Sequence, residues 1–440
     1  MTDTNRFHIE SLGASKYSSP LQLSTVKGDN IFNFVSDADR LIFDQSISYF
    51  NQCLANKEEP VCLEKAGPRQ DLFFDAQNTT AAIVTCGGLC PGINNVIRGL
   101  VMALHYFYGV KKIIGIPYGY EGLNPDKGHK LVELTPDKVK DIHQFGGTFL
   151  GSSRGAQDVS VMVDTLENNQ VDMLFAIGGD GTLKGVNAIG EEIAKRNGKI
   201  SVVGIPKTID NDIDLIDESF GFETAFDVAS PILRDAHNEA TGAFNGISII
   251  KLMGRDSGFI AASAALAMPV VNFVLIPEMD FTLEGEHGFL NILEERLKHK
   301  KHAVIVVAEG AGQQLFTKKE EVKDASGNIQ HQDIGVFLKE KIAAYFKEKC
   351  PVTIKYIDPS YIVRCAPANS SDSVYCSRLA YHAVHGAMTG KTKFVASKIN
   401  NRYVYIPITE VTKKRKKIDL EGEFWFSVLQ STGQPFSLGQ

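Results

Sequence analysis

The sequence predicts an α/β protein of two facing doubly wound lobes with mainly parallel sheets, preceded by an N-terminal extension, and three observations predict it. From residue 81 onward, short apolar runs end in glycine turns that open helix-spaced segments, and the pattern repeats. The 39 glycines cluster at those turns, where backbone needs room for a tight bend or a ligand. The length, 440 residues, exceeds what one small core organises.

Residues 1–79 come first. They are irregular, carry Pro20, Pro60 and Pro68, and read as an extension that wraps a core or a partner. AAIVTCGG is a buried strand closed by glycines, and NNVIRGLVMALHYFY has helical spacing. KKIIGIPYG is a strand and turn, and VDMLFAIGGDGT is another, followed by the amphipathic LKGVNAIGEEIAKRNG. ISVVGIPKTIDND is one more strand and turn. Strand, glycine turn and helix in this order build a parallel sheet with right-handed crossovers, and ligands bind at the carboxyl ends of its strands. After Gly221 a second set begins, with the helix FETAFDVASPILRDAHNEA, the buried strands NGISIIKLMG and HAVIVVAEG, and the strand and turn VTIKYIDPSYIVRCAP. This second lobe is expected to face the first across a cleft. The charged segment 317–332 reads as a surface loop.

Composition excludes several classes. Apolar residues at 43% and charged residues at 22% are those of a soluble globular protein. A net charge of −6 argues against a nucleic-acid partner. The basic run 413–417, KKRKK, is expected to be a solvated loop. The apolar stretch 259–277 contains Pro269 and Asn272, so it reads as a core helix and strand, not a membrane span. Seven cysteines without a C-x-x-C pair fit reduced thiols in a cytoplasmic protein, and the polar N-terminus is no secretory signal.

Five turns carry the chemistry, four of them built with glycine. Gly87-Gly88-Leu89-Cys90-Pro91-Gly92 closes a strand and opens a helix, a setting in which backbone N–H groups hold phosphate. Gly178-Gly179-Asp180-Gly181-Thr182 does the same with a carboxylate added, a hard ligand suited to Mg²⁺. Pro206-Lys207-Thr208-Ile209-Asp210-Asn211-Asp212 crowds two carboxylates, which is costly unless a cation or a reacting proton is near. Met253-Gly254-Arg255 and Gly151-Ser152-Ser153-Arg154-Gly155 each set one arginine among small residues, as a phosphoryl group requires. Anion cradles, a metal, a base and arginines are the parts of phosphoryl transfer. No G-x-x-x-x-G-K-[ST] occurs, which excludes a P-loop.

With GGLCPGINNVIRG, GSSRG, IGGDGT, PKTIDND, GFETA, KLMGRDSGFIA, LIPE, VVAEG and YIDPSYIVR in this order, the chain resembles the phosphofructokinase family, in particular its long plant- and trypanosomatid-like ATP-dependent branch. The resemblance spans residues 81–364 and implies ATP and fructose 6-phosphate as substrates. It implies that residues 80–220, with about 365–405, form a nucleotide-binding lobe. Residues 221–364, with about 406–440, would form the sugar-phosphate lobe. Gly88, Arg154, Gly155, Gly179, Asp180, Gly181 and Thr182 would hold the nucleotide, with Asp180 serving Mg²⁺. Asp210 would be the base that accepts the proton of the sugar 1-hydroxyl, with Thr208, Ile209 and Asp212 beside it. Arg255 would stabilise the transferred phosphoryl, while Met253, Gly254, Glu309, Lys355, Tyr361 and Arg364 would line the sugar-phosphate site. A cytoplasmic, allosteric glycolytic enzyme assembled as a homotetramer or dimer is the expected whole.

Donor choice is expected to rest on Gly181 and Lys207. Pyrophosphate-using relatives carry Asp at the first position, where it would crowd and repel the α-phosphate, so Gly181 favours ATP. Lys207 matches the pyrophosphate users, which keeps a pyrophosphate-dependent enzyme as the alternative. Short bacterial members place an arginine from the neighbouring subunit at the position that is Gly246 here. An NAD or lipid kinase shares the GGDGT turn but not PKTIDND with MGR, and a non-catalytic subunit would lose Asp210, Asp212 or Arg255.

Overall fold

The computed structural model describes residues 6–316 and 331–439, so most of the segment expected as a charged loop lies outside the described residues. Two compact units organise the chain. The first comprises Met1–Thr208, Ile213–Phe220 and Ser370–Lys414; the second comprises Ile209–Asp212, Gly221–Asn369 and Arg415–Gln440.

The first unit is built on a nine-stranded sheet. Its order is Arg40–Ile42, Cys62–Lys65, Arg402–Pro407, Phe394–Ile399, Ser201–Pro206, Met173–Gly178, Thr80–Thr85, Lys112–Ile116 and Val132–Glu133. The strands from Phe394–Ile399 to Lys112–Ile116 are parallel. Every residue of Thr80–Thr85, Met173–Gly178 and Ser201–Pro206 is buried, as strands covered on both faces must be. Both edges are antiparallel, so the sheet is mixed. The reason is local at one edge. Asn400 and Asn401 both adopt positive φ, +48° and +60°, which makes the two-residue hairpin that turns Phe394–Ile399 back into Arg402–Pro407.

The stretch expected as a separate extension supplies two of these edge strands. A buried charge network fastens it. Arg69 donates to Glu64 and to Asp37, each at 2.8 Å, and Lys391 Nζ lies 2.6 Å from Glu64. Glu64, Arg69 and Lys391 are all buried, and removing Glu64 would leave the two covered cations with only the exposed Asp37 between them.

The second unit has a parallel sheet in the order Phe273–Leu275, His302–Ala308, Gly246–Leu252, Thr353–Ile357. Helices Phe222–Gly242, Phe259–Ala267, Phe289–Lys300 and Ile334–Phe346 accompany it. The apolar stretch 259–277 divides into a helix and a strand as its Pro269 and Asn272 require. Among the described residues no helix is long and apolar enough to cross a membrane.

The basic run 413–417 is not simply solvated, as its composition suggested. Arg415 is paired with Asp212 and Asp256, Lys413 with Glu410, and Lys414 with Asp214 at 3.6 Å. Asp212, Asp214 and Asp256 are brought from distant segments and are not visible from local sequence, whereas Glu410 is an i,i+3 neighbour of Lys413.

Candidate active site

In the first unit, the turns after the strands Thr80–Thr85 and Met173–Gly178 and the 151–155 loop are stitched together. Gly87 sits at φ +85°, and its N–H donates to the Ser153 carbonyl at 3.1 Å while Ser152 Oγ donates to the Gly87 carbonyl at 2.6 Å. A Cβ on Gly88 would lie 3.4 Å from Arg154 Nη2. Gly88 and Arg154, distant in sequence, are therefore neighbours. Arg154 and Gly155 are exposed, and Gly155 takes φ +107°.

Gly179 caps the Asp180–Lys195 helix. That N-terminus carries unpaired backbone N–H groups and partial positive charge, the standard setting for phosphate. Gly178 has no alternative, because a Cβ there would come within 2.2 Å of Thr182 Oγ1. Gly181 differs. It is exposed, and an added Cβ would meet nothing within 4 Å. Thr182 is buried, and its carbonyl accepts from Tyr120 Oη at 2.8 Å. Asp180 Oδ2 accepts from Lys184 Nζ at 2.8 Å.

Lys207 links two of the turns. Its N–H donates to the Gly178 carbonyl at 3.0 Å, and its Nζ donates to the Gly88 carbonyl at 2.7 Å. It is buried, so this lysine reaches the glycine turns from inside the unit. Thr208 follows, its carbonyl accepting from Ser219 Oγ at 2.5 Å. There the chain passes from the first unit into the second.

The second unit gathers the other candidates around Asp210. Arg255 N–H donates to Asp210 Oδ2 at 3.4 Å, and Ser257 Oγ donates to the Asp210 carbonyl at 3.0 Å. The Asp210 carboxyl is pushed up to about 7. Removal from water is the main cause, followed by the negative charges of Asp212 and Glu309; the Arg255 N–H and the Arg364 cation pull the other way. Such a value suits a group that must both take and release a proton near neutrality.

The motif arginine stands on a turn that only glycine can form. Gly254 has φ +133°, and a Cβ there would lie 2.5 Å from the Ser257 carbonyl oxygen. Gly310 is as constrained, since its Cβ would approach the Arg255 oxygen to 1.9 Å. Glu309 N–H donates to the Leu252 carbonyl at 2.9 Å, which sets its carboxylate at the end of the neighbouring strand. Arg364 Nε lies 3.2 Å from Met253 Sδ, so Met253, Glu309 and Arg364 join the Asp210 cluster. Ile209 and Asp212 are buried in the same turn.

Lys355 and Tyr361 stand apart. Lys355 pairs with Glu239 at 3.3 Å on the surface, and Tyr361 is 81% exposed. Gly246, the first residue of its strand, has no space for a side chain, because a Cβ would meet the Ala240 carbonyl at 2.1 Å. Local motifs missed three neighbours of the cluster. Arg415 bridges Asp212 and Asp256, and burial together with the Arg255 cation holds the His331 imidazole below the usual range. Asp256 was adjacent to the motif arginine and could have been flagged; the other two could not.

A metal was also expected. Among the described residues no group of three or more His, Cys, Asp or Glu forms a cage. Mg²⁺ does not need one, since it keeps several waters and takes one or two carboxylates plus substrate phosphates. Asp180, a hard carboxylate beside the N–H groups of a helix N-terminus, has the chemistry to hold an ion carried in with a nucleotide.

Residues 80–387 match the sequence profile of the phosphofructokinase family. The chain belongs to the phosphofructokinase family. Curated phosphofructokinases match almost end to end. The ATP-dependent 6-phosphofructokinase of Borreliella burgdorferi is 50% identical over 439 residues, covering 98% of this chain and 97% of that one. That of Amycolatopsis methanolica is 44% identical over 440 residues, covering 98% and 95%. ATP-dependent 6-phosphofructokinase 1 of Arabidopsis thaliana is 48% identical over 380 residues, covering 86% and 80%, in keeping with the plant-like resemblance. A solved pyrophosphate-dependent phosphofructokinase from Marinobacter aquaeolei superposes with a TM-score of 0.66 over 82% of this chain and 92% of that one. At 19% identity it shows the shared phosphofructokinase fold and no more.

Proposed function

We propose that this chain transfers the γ-phosphoryl group of ATP to the 1-hydroxyl of fructose 6-phosphate, giving fructose 1,6-bisphosphate and ADP. The observation that carries the reading is the Asp210 cluster: a carboxyl raised to about 7 beside Asp212, Glu309, Arg255 and Arg364. Curated relatives named ATP-dependent 6-phosphofructokinases, at 44–50% identity over nearly the whole chain, support it.

Asp210 takes the proton of the attacking hydroxyl. The charge of Asp212 keeps Asp210 basic enough for that task, because two neighbouring carboxylates resist ionising together. Arg255 spreads the charge that develops on the transferred group, and Arg364 holds the sugar phosphate, with Glu309 accepting from a sugar hydroxyl. Gly88, Arg154, Gly155 and the 179–182 turn are assigned to the nucleotide phosphates. Magnesium held by Asp180 and those phosphates would supply charge neutralisation. Lys355 and Tyr361 remain assigned to the sugar phosphate by family resemblance. That resemblance is also what supports a homotetramer, a cytoplasmic location and allosteric control; light scattering measures the first.

Gly181 favours ATP over pyrophosphate, since the space beside it is open to a nucleotide. Assaying fructose 6-phosphate with ATP and with pyrophosphate side by side tests the proposal. ATP is expected to support turnover. Turnover with pyrophosphate alone would transfer the reading to the pyrophosphate-dependent class, and none with either donor would end it.

A further inference from the structure

The turn that carries Asp210 is held by a segment from the far end of the chain. Arg415 Nη1 lies 2.5 Å from Asp212 Oδ2 and 2.9 Å from Asp256 Oδ2. Lys416 N–H donates to the Asp212 carbonyl at 2.9 Å. Two residues on, Ile418 N–H donates to Glu278 Oε1 at 2.9 Å, and the same oxygen accepts from Gly258 N–H at 3.1 Å. The segment 415–418 is thus bonded to the Asp212 turn, to the loop after Arg255, and through Glu278 to the start of the Phe259–Ala267 helix. All of these residues belong to the second unit.

We infer that Arg415 is a positioning residue for the phosphoryl transfer proposed above: its guanidinium holds the Asp212 and Asp256 carboxylates together and so locks the Asp210 turn to the Arg255 loop. The inference rests on that functional reading.

Three physical arguments support it. First, the turn needs external fixing. Asn211, between the two carboxylates, takes φ +56°, a left-handed conformation that persists when its surroundings over-determine it. Ser257 and the Arg255 N–H hold Asp210 on one side, and Arg415 with Lys416 N–H holds Asp212 on the other. Second, the Asp212 side chain is 8% exposed, and a carboxyl so covered is costly to leave without a hydrogen-bonding partner. Third, the geometry calls for arginine. Nη1 of its guanidinium reaches both carboxylates, and an always-charged planar cation holds that nitrogen in a fixed orientation, whereas a lysine ammonium sits on a freely rotating stem. Lys414, its neighbour in the basic run, is 73% exposed and pairs 3.6 Å from Asp214, away from this cluster.

Steady-state kinetics on the full-length protein with ATP and fructose 6-phosphate tests the inference. Arg415→Met should lower kcat by about 10²-fold, the usual cost of a small misplacement in a reacting constellation, and leave KM for fructose 6-phosphate within about threefold. Arg415→Lys should recover about tenfold of that loss, because charge is restored but on a shorter stem without the fixed planar orientation of a guanidinium. Lys414→Met removes a charge from the same run and should stay within about twofold of wild type. If Arg415 acts through Asp212, adding Arg415→Met to Asp212→Asn should cost no more than about threefold beyond Asp212→Asn alone. That pair removes both members of the bridge, so it decides the matter even if Arg415→Met does not fold. A wild-type kcat in Arg415→Met, fully additive losses in the pair, or a raised KM with kcat unchanged would overturn the inference. Wild-type enzyme inactive with fructose 6-phosphate and either donor would instead sink the functional reading beneath it.

Discussion

Replacing Gly181 with Asp puts a charge where the donor's phosphates are expected, and the structure allows the consequence to be worked out. The site is exposed and an added Cβ meets nothing within 4 Å, so the variant should fold. Position 181 also lies in the first turn of the Asp180–Lys195 helix, where a carboxylate interacts favourably with the helix dipole by about 0.3–1 kcal/mol. Tm should therefore hold or rise slightly. The penalty falls on ATP. A carboxylate about 4 Å from a phosphate, at an effective dielectric near 20, is repelled by about 4 kcal/mol. That is about 10³-fold in kcat/KM for ATP, since each 1.36 kcal/mol is tenfold. Gly181→Ala separates volume from charge, and the open space predicts a loss of less than about tenfold. The assay is kcat/KM for ATP and for pyrophosphate in wild type and both variants, with Tm alongside. A folded Gly181→Asp that keeps ATP kcat/KM within about threefold would refute the placement of the nucleotide beside Gly181.

Other expectations follow from the Asp210 cluster and its supports. Asp210→Asn should lower kcat by about 10²–10⁴-fold with little change in KM, since it removes the base but keeps the shape. For the wild type, a base titrating at about 7 must lose its proton to act, so kcat should fall about tenfold per pH unit below that value; a flat profile down to pH 5 would place the base elsewhere. Asp212→Asn removes a negative neighbour that raises Asp210, so the acid limb should move to lower pH, read from the kcat profile. Gly254→Ala combines φ +133° with a contact 2.5 Å from the Ser257 carbonyl oxygen. It should cost about 1–3 kcal/mol in chemical denaturation, together with most of the activity.

Much of this was legible in one dimension because phosphate-handling turns are local. IGGDGT and PKTIDND each close a strand, and their glycines and carboxylates sit next to one another in sequence before any fold exists. The Gly254 turn is of the same kind, since a strained φ and a crowded carbonyl demand glycine whatever surrounds them. The edges of the larger sheet were not legible as such. Strands such as Cys62–Lys65 are short, flanked by prolines, and marked by no periodicity, and their place is set by a partner strand more than three hundred positions away. The hairpin at Asn400 and Asn401 did carry a local signal, an Asn pair between two apolar runs, which the basic run beyond it obscured.

Sequence alone determined which chemical groups stand at the strand-end turns of this protein, because backbone turns, helix N-termini and paired carboxylates take their character from adjacent residues. Tertiary structure decided how strongly those groups act. The basicity of Asp210 comes from burial, then from nearby Asp212 and distant Glu309, and is tempered by distant Arg364; the anchoring of Asp212 comes from Arg415, also far along the chain. Charge interactions depend on distance through space and on exclusion of water, and a linear order of residues contains neither.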